Sequence, residues 1–325
     1  MIPPAAAPLF LASNGWESAR IEPLAGDASF RRYFRVIDGD KRAVLMDAPP
    51  PHEDPRPFID ISRYLTSHGF AAPQILAQDL ELGLVLIEDF GDERMREAID
   101  LDPTRERAIY QELMDLIARL HVIDAATLPP YDRAAYQREA ALFTEYYCPA
   151  VGLDCDVPSF VAAWNDVLDG VVTSQSPPVT VLRDYHAENI MLIDGGKRLG
   201  LLDFQDALAG HPAYDVVSML QDARRDVDAS LEAEMLEHYR ATAAPRAGFE
   251  DAYWILGAQR NAKILGIFTR LWKRDGKAHY LSFQSRVWRY LERDLAHPAL
   301  APVKAWFDAN IAEEKRAPFW DQYSA

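Results

Sequence analysis

Cysteine is almost absent from this chain of 325 residues: there are two, Cys148 and Cys155, seven positions apart in a loop-like stretch. A disulfide between them is possible, yet two thiols in a chain this long point to a reducing compartment rather than a disulfide scaffold. Basic residues are also scarce, 34 Lys and Arg against 50 Asp and Glu, giving a net charge of −16. That balance argues against a nucleic-acid-binding surface and keeps the chain soluble, without bearing on fold. No apolar run reaches the roughly 18 residues a membrane span needs, so no membrane partner is expected. The segment from Met1 to Trp16 has no basic stretch before its apolar patch Pro8-Leu9-Phe10-Leu11. It does not read as a signal peptide, and the expected location is the cytoplasm. Low-complexity tracts and internal repeats are missing too.

What is present suits a globular protein. Apolar residues make up 49% of the chain and charged ones 26%, and the length allows one large domain or two lobes with sizeable cores. Strands are expected over Ser29 to Ile37, with Phe30, Phe34 and Val36 on one face, and over Ala43 to Met46, Ile75 to Gln78 and Leu84 to Glu88. A helix from about Pro57 to His68 interrupts them. Helical periodicity then dominates Arg105 to His121, Ala134 to Tyr147, Phe160 to Val172 and the region after Pro212. Short strands at Val179 to Leu182, Ile190 to Ile193 and Leu199 to Leu202 break it up. The expectation is an α+β, two-lobed fold: a small β-rich lobe over residues 1–90, a hinge at about 87–92, and a large, mainly helical lobe over 91–325.

One cluster carries chemistry. Asp184 is followed five residues later by Asn189, and Asp203 ends a second apolar run. The two short strands flanking Asp194-Gly195-Gly196-Lys197 are expected to form a hairpin, with Asp184 and Asn189 just before it and Asp203 just after, that folds the three residues together. Each residue alone would be an ordinary loop residue, but the joint spacing reads as a phosphoryl-transfer centre. Asn189 and Asp203 supply the hard oxygen ligands magnesium prefers. Asp184, left off the metal, accepts the proton of an incoming hydroxyl. ATP and Mg2+ are the expected cofactors.

The segments Arg183-Asp184-x-His186-x-x-Asn189 and Asp203-Phe204-Gln205-Asp206 resemble the catalytic motifs of the aminoglycoside phosphotransferase (choline kinase-like) superfamily. Three further segments, Gly26 to Arg35, Leu45 to Pro50 and Gln259 to Phe268, resemble the bacterial N-acetylmuramate/N-acetylglucosamine kinase branch, which phosphorylates an anomeric sugar hydroxyl in peptidoglycan recycling. The resemblance implies a protein-kinase-like fold and a small-molecule amino-sugar substrate. Two positions depart from the kinase pattern. Leu182 stands where protein-kinase loops carry His, and Met46 stands where the phosphate-binding lysine is expected. The helix that would supply the lysine's glutamate partner has no Glu between Asp54 and Gln78. Losing both partners together suggests another way of holding phosphate.

For the nucleotide, the turn at Gly26 to Ser29 lays backbone N–H groups over phosphates, and Arg31 or Arg32 replaces the lysine through its planar donor fork. A charged, solvated strand edge is the competing reading. Glu88, Asp89 and Phe90 form the hinge, whose backbone pairs with adenine in the family resembled. For the sugar, Arg260, Lys263, Arg270 and Arg274 recur at intervals of three, seven and four along one helix, a basic stripe suited to a lactyl carboxylate. A salt-bridged surface face is the plainer account of Arg270 and Arg274. Gln205 and Asp206 are placed to bond sugar hydroxyls, and Asp215 to brace the catalytic loop. His186 has a structural reading beside the metal residues, and His121 that of a helix-end or core contact. Rival substrates are an aminoglycoside, choline or homoserine, and the rival from another class is a non-catalytic pseudokinase binding module.

Overall fold

The computed structural model describes residues 1–26, 30–125 and 127–323. The chain forms two compact units, residues 1–101 with 188–206, and 102–187 with 207–325. In the first unit, helix α1 (Ala7–Ser13) precedes strands β1 (Arg20–Gly26), β2 (Arg32–Asp38) and β3 (Lys41–Asp47). Helix α2 (Arg56–Ser67), strands β4 (Ile75–Asp79) and β5 (Leu84–Glu88) and helix α3 (Met95–Leu101) follow. The strands make one antiparallel sheet in the order β1-β2-β3-β5-β4.

Side-chain alternation decides the faces of this sheet. Phe34, Val36, Ala43, Leu45, Leu84 and Leu86 point to one face and form a core with Phe10 and Leu11 of α1. On β3 the remaining apolar residues, Val44 and Met46, are buried as well, so this central strand reads as a continuous apolar run. The strand expected from Ser29 starts at Arg32, and Phe30 lies outside that core, 66% exposed.

The first unit runs to Leu101 and also takes in a later hairpin, β7 (Ile190–Ile193) and β8 (Arg198–Leu201). Backbone bonds explain its membership: Leu192 N–H donates to Glu93 at 2.7 Å and Leu201 N–H to Ala71 at 2.8 Å. Phe90 lies against Gly200 so closely that an added Cβ there would sit 2.7 Å from its ring.

The second unit is mainly helical: α4 (Glu106–His121), α5 (Arg133–Ala140), α6 (Cys148–Ala150), α7 (Val157–Ser174), α8 (Ala213–Leu220), α9 (Ala229–Ala243), α10 (Phe249–Asp275), α11 (Gln284–Leu295) and α12 (Ala301–Asn310). Strands β6 (Val179–Val181) and β9 (Leu208–Gly210) pair antiparallel. Asp132, Asp156 and Asp228 cap α5, α7 and α9 by accepting backbone N–H bonds. The continuous helix expected over 134–147 instead ends at Ala140 and resumes as a widened π turn over Phe143–Tyr147. The two cysteines are free. Among the described residues, no helix is long and apolar enough to cross a membrane.

Helix α10 is buried almost all round, and glycines let its neighbours approach. At Gly266 an added Cβ would lie 2.3 Å from the Leu142 backbone carbonyl, a contact that rigid backbone cannot relieve. Gly266→Ala is therefore expected to destabilise the protein by about 2–3 kcal/mol through overpacking, read from the denaturant midpoint; an unchanged midpoint would refute this close approach. His211, between β9 and α8, is held at about 4 by burial and then by neighbouring His121. An unfolded histidine titrates near ~6.5, so between these values the unfolded chain binds more protons. The stability His211 contributes is complete above about pH 6.5 and is lost as pH falls toward 4. His211→Gln should show a shallower decline of unfolding free energy across that window, and parallel curves for variant and parent would exclude it.

Candidate active site

In the second unit, the loop after β6 is fixed backbone first. Arg183 takes φ 70°, and Asp184 N–H turns back to donate to Leu182 carbonyl at 2.9 Å. This tight reversal is strained for a side-chain-bearing residue. Buried Asp215 of α8 holds it, accepting from Leu182 N–H at 2.6 Å and Arg183 N–H at 2.9 Å. The brace expected of Asp215 is thus present. Asp222, just beyond α8, accepts from Ala187 N–H at 3.0 Å, and Tyr185 hydroxyl donates to Leu113 carbonyl at 2.9 Å. His186 is buried with Arg224 at 3.3 Å. Burial, then the charges of Arg224 and Arg260, push its pKa far down and keep the imidazole neutral.

The side chains around this loop form a buried ionic cluster. Arg183 pairs with Glu139 of α5 and lies 5.6 Å from the Tyr131 ring centroid. Lys263 of α10 reaches Glu139 at 3.1 Å and Tyr214 hydroxyl at 3.3 Å. Burial alone would lower the Lys263 ammonium, but Tyr214, Glu139 and Asp184 outweigh it and the pKa is raised. Burial alone would raise Glu139, but Lys263, Arg183 and the Tyr131 hydroxyl hold its carboxyl below the usual range. Asp184 therefore stands in the field of two permanent cations, Arg183 and Lys263.

The basic stripe on α10 differs from expectation. Arg260 is 3% exposed and donates to Gln221 carbonyl at 3.4 Å, while Lys263 is enclosed by the cluster. Neither lies on an open basic face, because α5, α8 and α11 cover this part of α10. Arg274 pairs with adjacent Asp275 at 2.7 Å on the surface, and Arg270 lies over the Tyr146 ring.

In the first unit, hairpin β7–β8 pairs Ile190 with Leu201, and Leu202 N–H donates to Asn189 carbonyl at 2.9 Å. That register sets Asn189 beside Asp203, with the Asn189 amide 3.5 Å from the carboxylate. Asp203 turns the chain at φ 57°, a conformation Asp tolerates. Phe204, next to it, is buried and stacked on Phe58 of α2 at 5.0 Å. Gln205 Nε2 donates to Asp203 Oδ1 at 2.7 Å, so its amide steadies that carboxylate, and Asp206 is exposed. The 3.5 Å contact runs from the Asn189 Nδ2 to the carboxylate; the Asn189 amide oxygen and the Asp203 carboxylate are hard oxygen donors of the kind that suits magnesium.

The residues expected to meet nucleotide also lie in the first unit. Gly26 ends β1 opposite Arg32, whereas Ser29 lies outside the described residues. Arg32 is engaged by Asp47 through Nε at 2.8 Å and also donates to Ile2 carbonyl at 3.2 Å. Arg31 is buried with Nε 3.6 Å from Glu53. Glu88 bonds the Gln74 backbone. Asp89 is gripped by Arg35 at 2.7 Å and accepts from Gly91 N–H at 2.9 Å. Sequence reasoning missed Glu139, Asp222 and Glu53. Glu139 gave no signal on its helix, whereas Asp222 stands at the polar break after the apolar run of α8.

Known proteins align with this organisation. The model of the "Phosphotransferase enzyme family" matches residues 20–249. A protein of Caulobacter vibrioides named N-acetylmuramate/N-acetylglucosamine kinase is 35% identical over 96% of this chain and 98% of its own length. A Pseudomonas aeruginosa protein of the same name is 38% identical over 91% of each chain. Solved structures with the same fold include choline kinase LicA from Streptococcus pneumoniae, with TM-score 0.59 and 13% identity over 90% of this chain and 96% of that one. Another is APH(2")-IIa in a ternary complex with streptomycin and ATP, with TM-score 0.57 and 13% identity over 92% and 98%. Matched by the family's model over well over half its length and aligned with kinases over nine tenths of it, the chain belongs to the phosphotransferase enzyme family.

Proposed function

We propose that this chain transfers the γ-phosphoryl group of ATP to the anomeric hydroxyl of N-acetylmuramate and N-acetylglucosamine, in the cytoplasm, on sugars returned by peptidoglycan recycling. The observation that carries phosphoryl transfer is the hairpin register that sets Asn189 against Asp203. The amino-sugar acceptor is supported by the names of relatives 33–38% identical over about nine tenths of the chain.

In this reading Asp184 accepts the proton of the sugar hydroxyl as the new P–O bond forms. An anomeric hydroxyl is more acidic than an ordinary alcohol, so a carboxylate of modest basicity suffices. Asp215 and Asp222 hold the loop so that the Asp184 carboxylate needs no reorganisation in the transition state. Asn189 and Asp203 are the residues that would hold magnesium, with Gln205 orienting Asp203; a cation held there would supply neutralisation of phosphate charge. Gly26, Ser29 and one of the two arginines cradle the phosphates. The backbone of Glu88, Asp89 and Phe90 reads the base edge. On the acceptor side, Asp206 and Gln205 bond sugar hydroxyls, while Lys263 and Arg260 supply positive field toward the lactyl carboxylate.

An acceptor panel tests the substrate class. ATP consumption is expected with N-acetylmuramate and N-acetylglucosamine, and not with their 1-O-methyl glycosides, choline, homoserine or aminoglycosides. Turnover of the 1-O-methyl sugars would overturn the anomeric assignment, and an inert panel would favour a binding module. Asp184→Asn should lower kcat by about 10² to 10⁴ with nucleotide affinity kept, whereas Asp203→Ala should abolish the dependence of nucleotide affinity on magnesium. Undiminished turnover in the Asp184 variant would exclude it as the base.

A further inference from the structure

The missing lysine–glutamate pair leaves a structural vacancy: β3 carries buried Met46 at the lysine position, and α2 carries no glutamate to meet one. The sheet is tied to the entrance of α2 by a different pair. Glu53, three residues before α2, uses both carboxylate oxygens. Oε2 lies 3.6 Å from Arg31 Nε, and Oε1 accepts the Phe30 N–H at 3.1 Å. Beside it, the His52 ring stacks on Phe30 with centroids 5.1 Å apart. Residues 52–53 thus hold residues 30–31 by a charge, a backbone bond and a ring face.

Residues 30–31 directly follow the turn assigned to the phosphates. The position of Glu53 is itself fixed, because its N–H and that of His52 both bond Pro49 carbonyl, at 3.1 and 3.0 Å. Both side chains of the pair are largely shielded, Arg31 at 10% and Glu53 at 19% exposure. A carboxylate held in that position lies within ion-pair range of the guanidinium, and an oriented planar fork is what bidentate phosphate recognition requires. Arg32, the first residue of β2, is paired separately with Asp47.

We infer that Glu53 is the positioning residue for the nucleotide phosphates. It orients Arg31 and holds the Phe30 backbone, so that Arg31–Glu53 takes the place of the absent lysine–glutamate pair. This rests on the phosphoryl-transfer reading given above but not on the identity of the acceptor.

The test is equilibrium binding of fluorescent ATP, ADP and adenosine to the full chain with magnesium and without sugar. Glu53→Gln keeps an acceptor for Phe30 N–H but removes the charge. It is expected to weaken ATP binding about ten- to a hundredfold while leaving adenosine binding unchanged. Arg31→Ala should do the same, and the double variant should bind ATP no more weakly than Arg31→Ala alone. Arg56→Ala, which breaks only the exposed pair with Asp54 next in sequence, should bind as the parent does. Parental ATP affinity in Glu53→Gln, full additivity of the two substitutions, or equal losses for ATP and adenosine would each overturn the role of Glu53. Parental affinity in Arg31→Ala would instead remove the arginine clamp. Failure of the sugar assignment would leave all these affinities untouched.

Discussion

A single buried carboxylate, Asp215, sets the geometry of the catalytic loop. Its two oxygens satisfy consecutive backbone N–H groups at Leu182 and Arg183, and without them the reversed turn at Arg183 would have no counterweight to its strain. Stripping water from a carboxylate is costly, and charge-assisted bonds to amides are the means by which proteins offset that cost. Asp215 can serve because α8 starts at Ala213, directly after Pro212, and presents its first turn to the loop. His121 lies beside it: its Nε2 is 3.9 Å from Asp215, and its Nδ1 is 2.8 Å from the Tyr239 hydroxyl. A helix end on α4, the start of α8 and the body of α9 thereby meet around one acid.

The first unit solves a comparable problem with arginine. Arg35 reaches Asp89 and Asp92 at 2.7 and 2.8 Å and donates to Gly91 carbonyl at 3.2 Å, which fixes the chain as it leaves β5. Arg96 of α3 pairs with Glu188 at the root of the catalytic hairpin. In a chain with so few cations for its anions, many of the arginines are turned inward to organise loops. The surplus of acid is left to the surface, where it acts on solubility and encounter rather than on the fold.

Much of this was legible in the residues. The strands bracketing Asp194-Gly195-Gly196-Lys197 announce their hairpin because glycines there supply the positive φ of the turn, and the spacing of Asn189 and Asp203 follows from its register. The core strands Ala43 to Met46 and Leu84 to Glu88 show themselves by composition. Other features depend on contacts remote in sequence. Strand β1 contains Pro23 and alternates poorly, so only its pairing with β2 reveals it. The charges on α10 look like a stripe until Glu139, more than a hundred residues earlier, is seen to meet Lys263. Glu53 lies just outside the helix in which a partner for phosphate-binding charge would be sought, and only the folded turn at Pro49 brings it to Arg31.

The cluster of Arg183, Glu139 and Lys263 has one more consequence. Mobile ions weaken interactions between charges that water surrounds and scarcely touch those enclosed by protein. Raising ionic strength should therefore leave the field around Asp184 nearly intact while loosening the capture of charged reactants from bulk solution. Titration with an inert electrolyte thus offers a way to separate how the reactants arrive from how they react.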